Sequence, residues 1–483
     1  MAEDTDKNLP NDMILAVDLD GTLLHSDMLY ETFWNAAAQD WGSAMGAVWA
    51  LSKGKAELKR ELAKVSAVDV TSLPYNRDVL DYIAQWKSDG GTVALVTATD
   101  QDVADKIAAH LGVFDHVHGS GDGVNLKGSN KATFLENTYG EVGFAYMGDT
   151  DADLPVWTKA QKIITVNAPQ ALRDKADALG QTTTHLGASK RDLKPYLKAL
   201  RPHQWVKNVL IFVPIFLAHQ LDMATLATGA MAFIAFSLIA SSVYVLNDLL
   251  DLDADRAHPR KCKRPFAAGT VAIQHGTGMA AGLLGLGALI SVFVGPVFLL
   301  VLALYFAATT GYSFYFKRRM VIDICVLAGL YTMRIIAGGV ATGVSISVWL
   351  LAFSVFFFFA LAAIKRQAEL VDNAKEGKLA PSGRGYRVAD LPIVSQMSIA
   401  SGYVSVLVLA LYMNAPVVTD LYANPPALWG ICLVLLFWVS WLAMVTHRGE
   451  MHDDPIVYAV KDRISRVCGF LILGFALLGS IPI

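Results

Sequence analysis

The sequence predicts two unlike domains in one chain: an N-terminal α/β domain built on a parallel sheet with a small helical cap, then an all-α polytopic membrane domain of about nine helices. Three observations carry this. Short apolar runs that end in Asp- and Gly-rich loops alternate with amphipathic helical stretches in the first part of the chain. Apolar runs long enough to cross a bilayer dominate the rest, so the 54% apolar and 17% charged composition of the 483 residues averages two different parts. An Asp-rich stretch, Asn247 to Asp255, followed by Arg256, His258, Arg260, Lys261, Lys263 and Arg264, stands where the second apolar run meets water.

Met13 to Val17 is an apolar run leading into Asp18-Leu19-Asp20-Gly21-Thr22, which reads as a buried strand and its loop. A second strand, Thr92 to Val96, ends in Thr97. A third, Val142 to Met147, ends in Gly148-Asp149-Thr150-Asp151-Ala152-Asp153. Helical stretches such as Gln101 to Leu111 and Ser129 to Thr138 separate them, and that alternation places ligands at the carboxyl ends of parallel strands. The insert from about 26 to 74 is rich in helix formers and is expected to form the cap, within an α/β domain spanning 10–178. Residues 179–200, with Thr182 to Thr184 and a basic stretch from Lys190 to Arg201, are expected to link it to a membrane domain spanning 201–483.

The N-terminal Met1 to Asp6 is acidic and polar, unlike a secretory or transit sequence, so the α/β domain is expected to stay in the cytosol. Cys262, Cys325, Cys432 and Cys468 have no paired or metal-ligand spacing, which predicts reduced thiols. A net charge of -3 describes neither part, and nothing supports nucleic-acid binding.

Nine apolar segments run approximately over 205–220, 225–246, 275–293, 296–314, 322–342, 346–364, 394–413, 426–446 and 465–482, the first of them short and interfacial in character. Alternate loops hold Arg256 to Arg264, Lys317 to Arg319, Lys365 to Arg387, and Arg448 with Lys461 and Arg463, while those near 221, 294, 343 and 420 hold no Lys or Arg. The bias puts the basic loops, the Asp-rich stretch and the α/β domain on the cytoplasmic side of a cell membrane; nine spans would put the C-terminus opposite.

Asp18 and Asp20, two apart at a strand end, are placed for one carboxylate to attack phosphorus while the other moves a proton at the leaving oxygen. Thr97 is positioned to hydrogen-bond a phosphoryl oxygen. Lys131, at a helix start, would neutralise developing charge, and Lys127 competes for that role. Asp149 and Asp153 complete an acidic Mg²⁺ pocket with Asp18 and Asp20. This ordered set, DxDGT, Thr, Lys and GDxxxD, resembles the haloacid dehalogenase (HAD) superfamily over roughly residues 12 to 178. The resemblance implies a Rossmannoid phosphohydrolase with a phospho-aspartate on Asp18 and Asp20 as acid/base.

Asp248, Asp251 and Asp255 are three and then four apart, share one face if helical, and suit a divalent cation through oxygen. The basic cluster behind them suits the phosphates such a cation bridges. NDxxDxxxD at this place resembles the UbiA superfamily of membrane prenyltransferases, which implies Mg²⁺ and diphosphate binding. Most aromatic-type members carry a second Asp-rich motif after the sixth span; here Lys365 and Glu369 stand where two aspartates are expected. A base in place of an acid suggests that a phosphate binds there directly.

That departure has its own resemblance. Arg201-Pro202-His203-Gln204-Trp205-Val206-Lys207-Asn208, the stretch Asp255 to Pro265, Tyr312-Ser313 with Lys317, Arg334 before Ala337-Gly338-Gly339, Lys365-Arg366 with Ala368-Glu369-Leu370, and Asp454-Pro455 with Asp462-Arg463 are similar to the decaprenyl-phosphate phosphoribosyltransferase branch. The resemblance implies phosphoribosyl pyrophosphate as donor and a polyprenyl phosphate in the bilayer as acceptor. Asp248, Asp251 and Asp255 would hold the metal, with Asn247 positioning. Lys207, Arg260, Lys261, Arg264, Lys317, Lys365, Arg366 and Glu369 are substrate-binding candidates, not apportioned among the phosphates. Asp323 and Arg334, on one span, are expected near the ribose or metal and near a phosphate, or else as an ion pair between spans. The expected outcome is transfer of 5-phosphoribose followed by removal of its phosphate. The alternative moves an isoprenoid from its diphosphate to an aromatic or lipid acceptor, with the α/β domain a separate phosphatase or regulatory module.

Overall fold

The computed structural model describes residues 13–121, 125–187, 192–381, 384–415, 418, 421–451 and 454–481. Met1 to Asp6, the expected domain start at 10, Lys190 and the final residue of the last expected span lie outside them. The chain divides into two compact units, one formed by Met1–Leu200 with Tyr244–Ala280 and the other by Arg201–Val243 with Ala281–Ile483.

In the first unit six parallel strands, β1 (Ile14–Val17), β2 (Thr92–Asp100), β3 (His116–Ser120), β4 (Phe144–Gly148), β5 (Lys162–Val166) and β6 (Thr182–Leu186), stand in the order β3-β2-β1-β4-β5-β6. Side chains alternate across the sheet: Leu15, Val17, Val93, Leu95 and Met147 enter one core, and Ile14, Ala16, Ala94, Val96, Phe144 and Tyr146 the other. The sheet is thus buried on both faces. Between β1 and β2 lie helices α1 (Met28–Gln39), α2 (Trp41–Val48), α3 (Lys55–Val65) and α4 (Arg77–Ser88). Asp27 caps α1 by accepting from the Leu29 N–H at 2.8 Å, and Asn76 caps α4 through Asp78 at 3.1 Å.

The other helices of this part are α5 (Gln101–Leu111), α6 (Ser129–Tyr139), α7 (Leu154–Trp157), α8 (Gln170–Asp177) and α9 (Lys194–Ala199). Gly112 ends α5 at φ 64°, a left-handed conformation that favours glycine. β6 falls in the stretch expected as a linker. Its Thr-rich sequence has few apolar residues, and it is held as a strand by pairing with β5 from Lys162↔Thr182 to Val166↔Leu186.

The helices that follow are α10 (Val213–Leu217), α11 (Met223–Leu250), α12 (Leu252–Arg256), α13 (Ile273–Val294), α14 (Pro296–Phe314), α15 (Ile322–Thr342), α16 (Val348–Lys375), α17 (Leu391–Met413), α18 (Trp429–Arg448), α19 (Pro455–Lys461) and α20 (Arg463–Ser480). Among the described residues eight helices are long and apolar enough to cross a membrane. The expected first span, 205–220, is not one of them; it folds as a 3₁₀ run, Pro202–Phe212, and the five-residue α10. The opposite-side placement of the C-terminus rested on a ninth crossing, which this helix count does not supply. Pro214 at the start of α10 lacks the N–H that would carry the preceding turns on as one helix. A Cβ on Gly338 of α15 would collide with the Ile211 carbonyl, so the small residue lets helix and 3₁₀ run meet backbone to backbone. All four cysteines are free.

Candidate functional site

Asp18 follows β1 and Asp149 follows β4, neighbouring parallel strands, so both loops open at the same end of the sheet. Asp18, Asp149 and Asp153 each offer a carboxylate oxygen within 4.8 Å of the others. Burial, then the negative charge of its acidic neighbours, pushes the Asp149 carboxyl well above its ordinary range and raises that of Asp153. Crowded, desolvated carboxylates of this kind fit a divalent cation, which would relieve their repulsion. Gly21, at φ 79°, leaves no room for a Cβ, which would run into the Asp149 carboxylate.

The Lys131 ammonium, 3% exposed, lies 2.8 Å from Asp18 Oδ1 and donates to the Tyr146 hydroxyl at 2.9 Å, which in turn donates to Asp153 at 2.9 Å. Lys127 lines the same cavity of about 320 Å³, but the ion pair to Asp18 is made by Lys131. Asp20 stands apart from the three-carboxylate group: it accepts from the Met28 N–H at 2.8 Å and the Thr99 hydroxyl at 3.1 Å, with Lys59 at 4.0 Å. Burial and Asp27 push its carboxyl up to about 6, the range of a group that carries a proton near neutrality. Thr97 is wholly buried, its hydroxyl oxygen accepting from the Thr99 N–H at 3.0 Å.

The Asp-rich segment does not continue as a single helix. α11 ends at Leu250, Asp251 is the N-cap of α12, and its N–H donates to the Asn247 carbonyl at 2.9 Å. Asp248 and Asp255, 2% and 1% exposed, converge on Arg264, whose Nη1 lies 3.1 Å from Asp248 Oδ1 and 2.5 Å from Asp255 Oδ2. Asp255 Oδ1 is buried without a hydrogen-bond partner, and burial raises this carboxyl against the pull of Arg264. An orphaned carboxylate oxygen beside a second buried carboxylate fits a cation. Arg260 and Lys261 are exposed. Arg256, first in the basic cluster, instead pairs with Glu31, both being buried side chains.

In the second unit four separated stretches meet. Lys207 and Lys365 place their ammonium groups 2.8 and 3.2 Å from the same Asp454 oxygen, and the Tyr331 hydroxyl donates to that carboxylate at 3.1 Å. Burial alone would raise Asp454; Lys365 and Lys207 overcome it and hold the carboxyl far below its usual range. Arg334 donates to Asn208 at 2.9 Å and to the Tyr305 hydroxyl at 3.2 Å, its guanidinium packed over Phe236, Tyr305 and Tyr331. Two ammonium groups share one carboxylate and, among the described residues, the Arg334 guanidinium pairs only with neutral groups, so the cluster keeps positive charge for an anion.

Asp323 does not pair with Arg334. Asp323 and Arg366, both wholly buried, form an ion pair at 2.7 Å; Arg366 also holds Glu369, and the Tyr386 hydroxyl donates to Asp323 at 2.5 Å. Arg384 lies 3.5 Å from Glu369 and donates to the Tyr312 hydroxyl at 2.9 Å. This packing ties α15 to α16 and commits Arg366 to two carboxylates. Arg366→Ala, which strips the buried Asp323 carboxylate of its cation, is expected to lower stability by about 3–5 kcal/mol, read as a lowered Tm in detergent. Lys317 is half-buried.

The sequence did not single out Lys59, Tyr146, Tyr305, Tyr331 or Arg384, and it mentioned Asp454 without assigning it a role. Lys59 is one of several lysines on a cap helix, and a tyrosine in an apolar run reads as packing until its hydroxyl meets a carboxylate. Asp454-Pro455 was noted only as part of the resemblance; its charge partners lie far away in sequence.

Residues 209–459 match the model of the UbiA prenyltransferase family, and residues 15–157 that of haloacid dehalogenase-like hydrolases. An uncharacterised protein of Sinorhizobium fredii is 39% identical over 97% of this chain and 90% of its own length. The nodulation protein NoeC of Azorhizobium caulinodans is 37% identical over 60% of this chain and 94% of its own. The decaprenyl-phosphate phosphoribosyltransferase of Mycolicibacterium smegmatis is 33% identical over 58% of this chain and 91% of its own.

Proposed function

This chain belongs to the UbiA prenyltransferase family and carries a haloacid dehalogenase-like hydrolase domain at its N-terminus, and from that premise we propose that it makes a polyprenyl phosphoribose in two steps. In the first, the oxygen of a polyprenyl phosphate displaces pyrophosphate from the anomeric carbon of phosphoribosyl pyrophosphate. In the second, water removes the 5-phosphate as inorganic phosphate. The observation that carries the reading is the convergence of Lys207 and Lys365 on Asp454, beside Arg334, where an ordinary prenyltransferase is expected to place a second acidic motif. The similarity to decaprenyl-phosphate phosphoribosyltransferases supports the same donor and acceptor.

Mg²⁺, the cation expected in both domains, would be held by Asp248, Asp251 and Asp255 and by Asp18, Asp149 and Asp153, supplying charge that eases departure of pyrophosphate and accepts phosphoryl oxygens. Asn247 orients the segment. Arg264, Arg260, Lys261 and Lys317 hold pyrophosphate oxygens; Lys207, Lys365 and Arg334 hold a phosphate of the sugar or lipid. In the hydrolase domain Asp18 attacks phosphorus, Asp20 gives its proton to the leaving oxygen and then activates water, Thr97 orients the phosphoryl group, and Lys131 neutralises it. The hydrolase domain, expected to end at 178, is extended in this reading to take in β6, Thr182–Leu186, which completes its sheet, and the membrane domain keeps its expected start at 201. Both sites take the cytoplasmic side, where the basic loops gather, and a product confined to one membrane reaches the fused hydrolase at high effective concentration.

Purified protein given labelled phosphoribosyl pyrophosphate, polyprenyl phosphate and Mg²⁺ is expected to yield a labelled lipid, and chelation to abolish it. Label absent from the lipid, or a product formed from an isoprenyl diphosphate without sugar, would reject the reading in favour of prenyl transfer. Lys365→Ala is expected to weaken use of polyprenyl phosphate or sugar donor by about 10–100-fold in kcat/KM, the scale of one charged hydrogen bond to phosphate.

A further inference from the structure

The cap helix α1 and the segment after the Asp-rich motif both belong to the first unit, and they are joined by contacts that neither proposed reaction uses. The Arg256 guanidinium donates to both oxygens of Glu31, at 2.6 and 3.1 Å, and the two side chains are 4% and 3% exposed. A bidentate pair buried this deeply fixes the orientation of both partners, because leaving either charge alone is costly. On the same face of α1, Asn35 donates to Asp253 at 2.7 Å and Trp34 to the Thr277 hydroxyl at 3.0 Å. Gly269, at φ 68°, sits where a Cβ would come within 2.8 Å of His25 Cβ and 3.1 Å of Pro74 Cβ, so the backbones meet closely there too.

The consequence for the hydrolase is a foreign wall. Gln274, the second residue of the membrane-spanning helix α13, lines the cavity that also holds Asp18, Asp20, Lys59 and Lys131. A soluble phosphate ester needs no wall made by a helix that enters a bilayer. A phosphate carried on a lipid stays at the membrane surface, and a pocket walled by the first turn of a helix long and apolar enough to span is suited to meet it. We infer that this junction sets the substrate class of the hydrolase: a phosphate monoester borne by a membrane lipid, contacted by Gln274, with the Glu31–Arg256 pair holding the cap in register. It rests on the two-step reading and names the side chains that would enforce its second step.

The test uses the full-length protein in lipid vesicles and compares ribose 5-phosphate in solution with the lipid-linked phosphoribose that accumulates with Asp18→Asn. Arg256→Ala is expected to keep hydrolysis of ribose 5-phosphate within about twofold and to lose at least about tenfold on the lipid substrate. Gln274→Ala, at an exposed position, should raise KM for the lipid substrate alone, and the swapped pair Glu31→Arg with Arg256→Glu should recover lipid hydrolysis. Equal losses on both substrates, or no loss on either, would overturn the inference. If Asp18→Asn makes no lipid-linked phosphoribose, the two-step reading fails instead. The inference is then decided by phosphatidate in the same vesicles: preference for it over ribose 5-phosphate, lost in Arg256→Ala, upholds the inference, and indifference overturns it.

Discussion

Asp18→Asn is expected to stop phosphate release, by at least roughly 10⁴-fold, and to leave a lipid product heavier by one phosphate than that of the wild type, seen by mass spectrometry. The magnitude follows from removing the nucleophile, for which neither Asp149 nor Asp153 is a substitute: both lie after β4, and Asp153 already accepts from Tyr146 and from the N–H groups of Asp149 and Thr150. Stability should not fall. The amide keeps the shape of the carboxylate and removes one of three crowded negative charges, which offsets the lost pairing with Lys131. Unchanged lipid mass in this variant would mean that the hydrolase domain acts elsewhere or only regulates.

Asp255→Ala is expected to cost the transfer step roughly 10³-fold, measured as labelled lipid formed per minute, while hydrolysis of a soluble phosphate ester persists. Asp255 is nearly sealed from solvent, one oxygen bound to Arg264 and the other unpartnered. Removing it takes away a cation ligand and frees Arg264 to pair with Asp248 alone. Two effects on one site explain why the loss should exceed that of Lys365→Ala, where Lys207 still faces the same anion. Retention of transfer within tenfold would place the cation on other groups.

The hydrolase carboxylates were legible because Asp18 and Asp149 follow strand ends, and a strand end is a local event: an apolar run, then Asp and Gly; Thr97, expected at the end of its strand, lies inside β2, which runs on to Asp100, and Lys131 opens α6. Three of the six strands escaped, for two reasons. His116–Ser120 and Thr182–Leu186 carry polar side chains at the two edges of the sheet, and Lys162–Val166 has a sequence too short to separate from a helix turn. In the membrane domain the segments were plain and the partners were not. Asp323 and Arg334 share one helix, expected near ribose or metal and near a phosphate or else in an ion pair between spans, and only the structure names their neighbours: Arg366 and Tyr386 for the first, Asn208 and Tyr305 for the second.

By itself the sequence determined what is written in local pattern: two domains, the strand-end carboxylates, the Asp-rich segment and the substitution of Lys365 and Glu369 where acids are expected. Tertiary structure alone decided which charges remain available. It buried Arg366 against Asp323, brought Lys207 and Lys365 onto Asp454, and paired Arg256 with Glu31. The physical reason is that a buried ion must be paired, and its partner is chosen by proximity in space across gaps of 43 to 247 residues, which no local periodicity encodes.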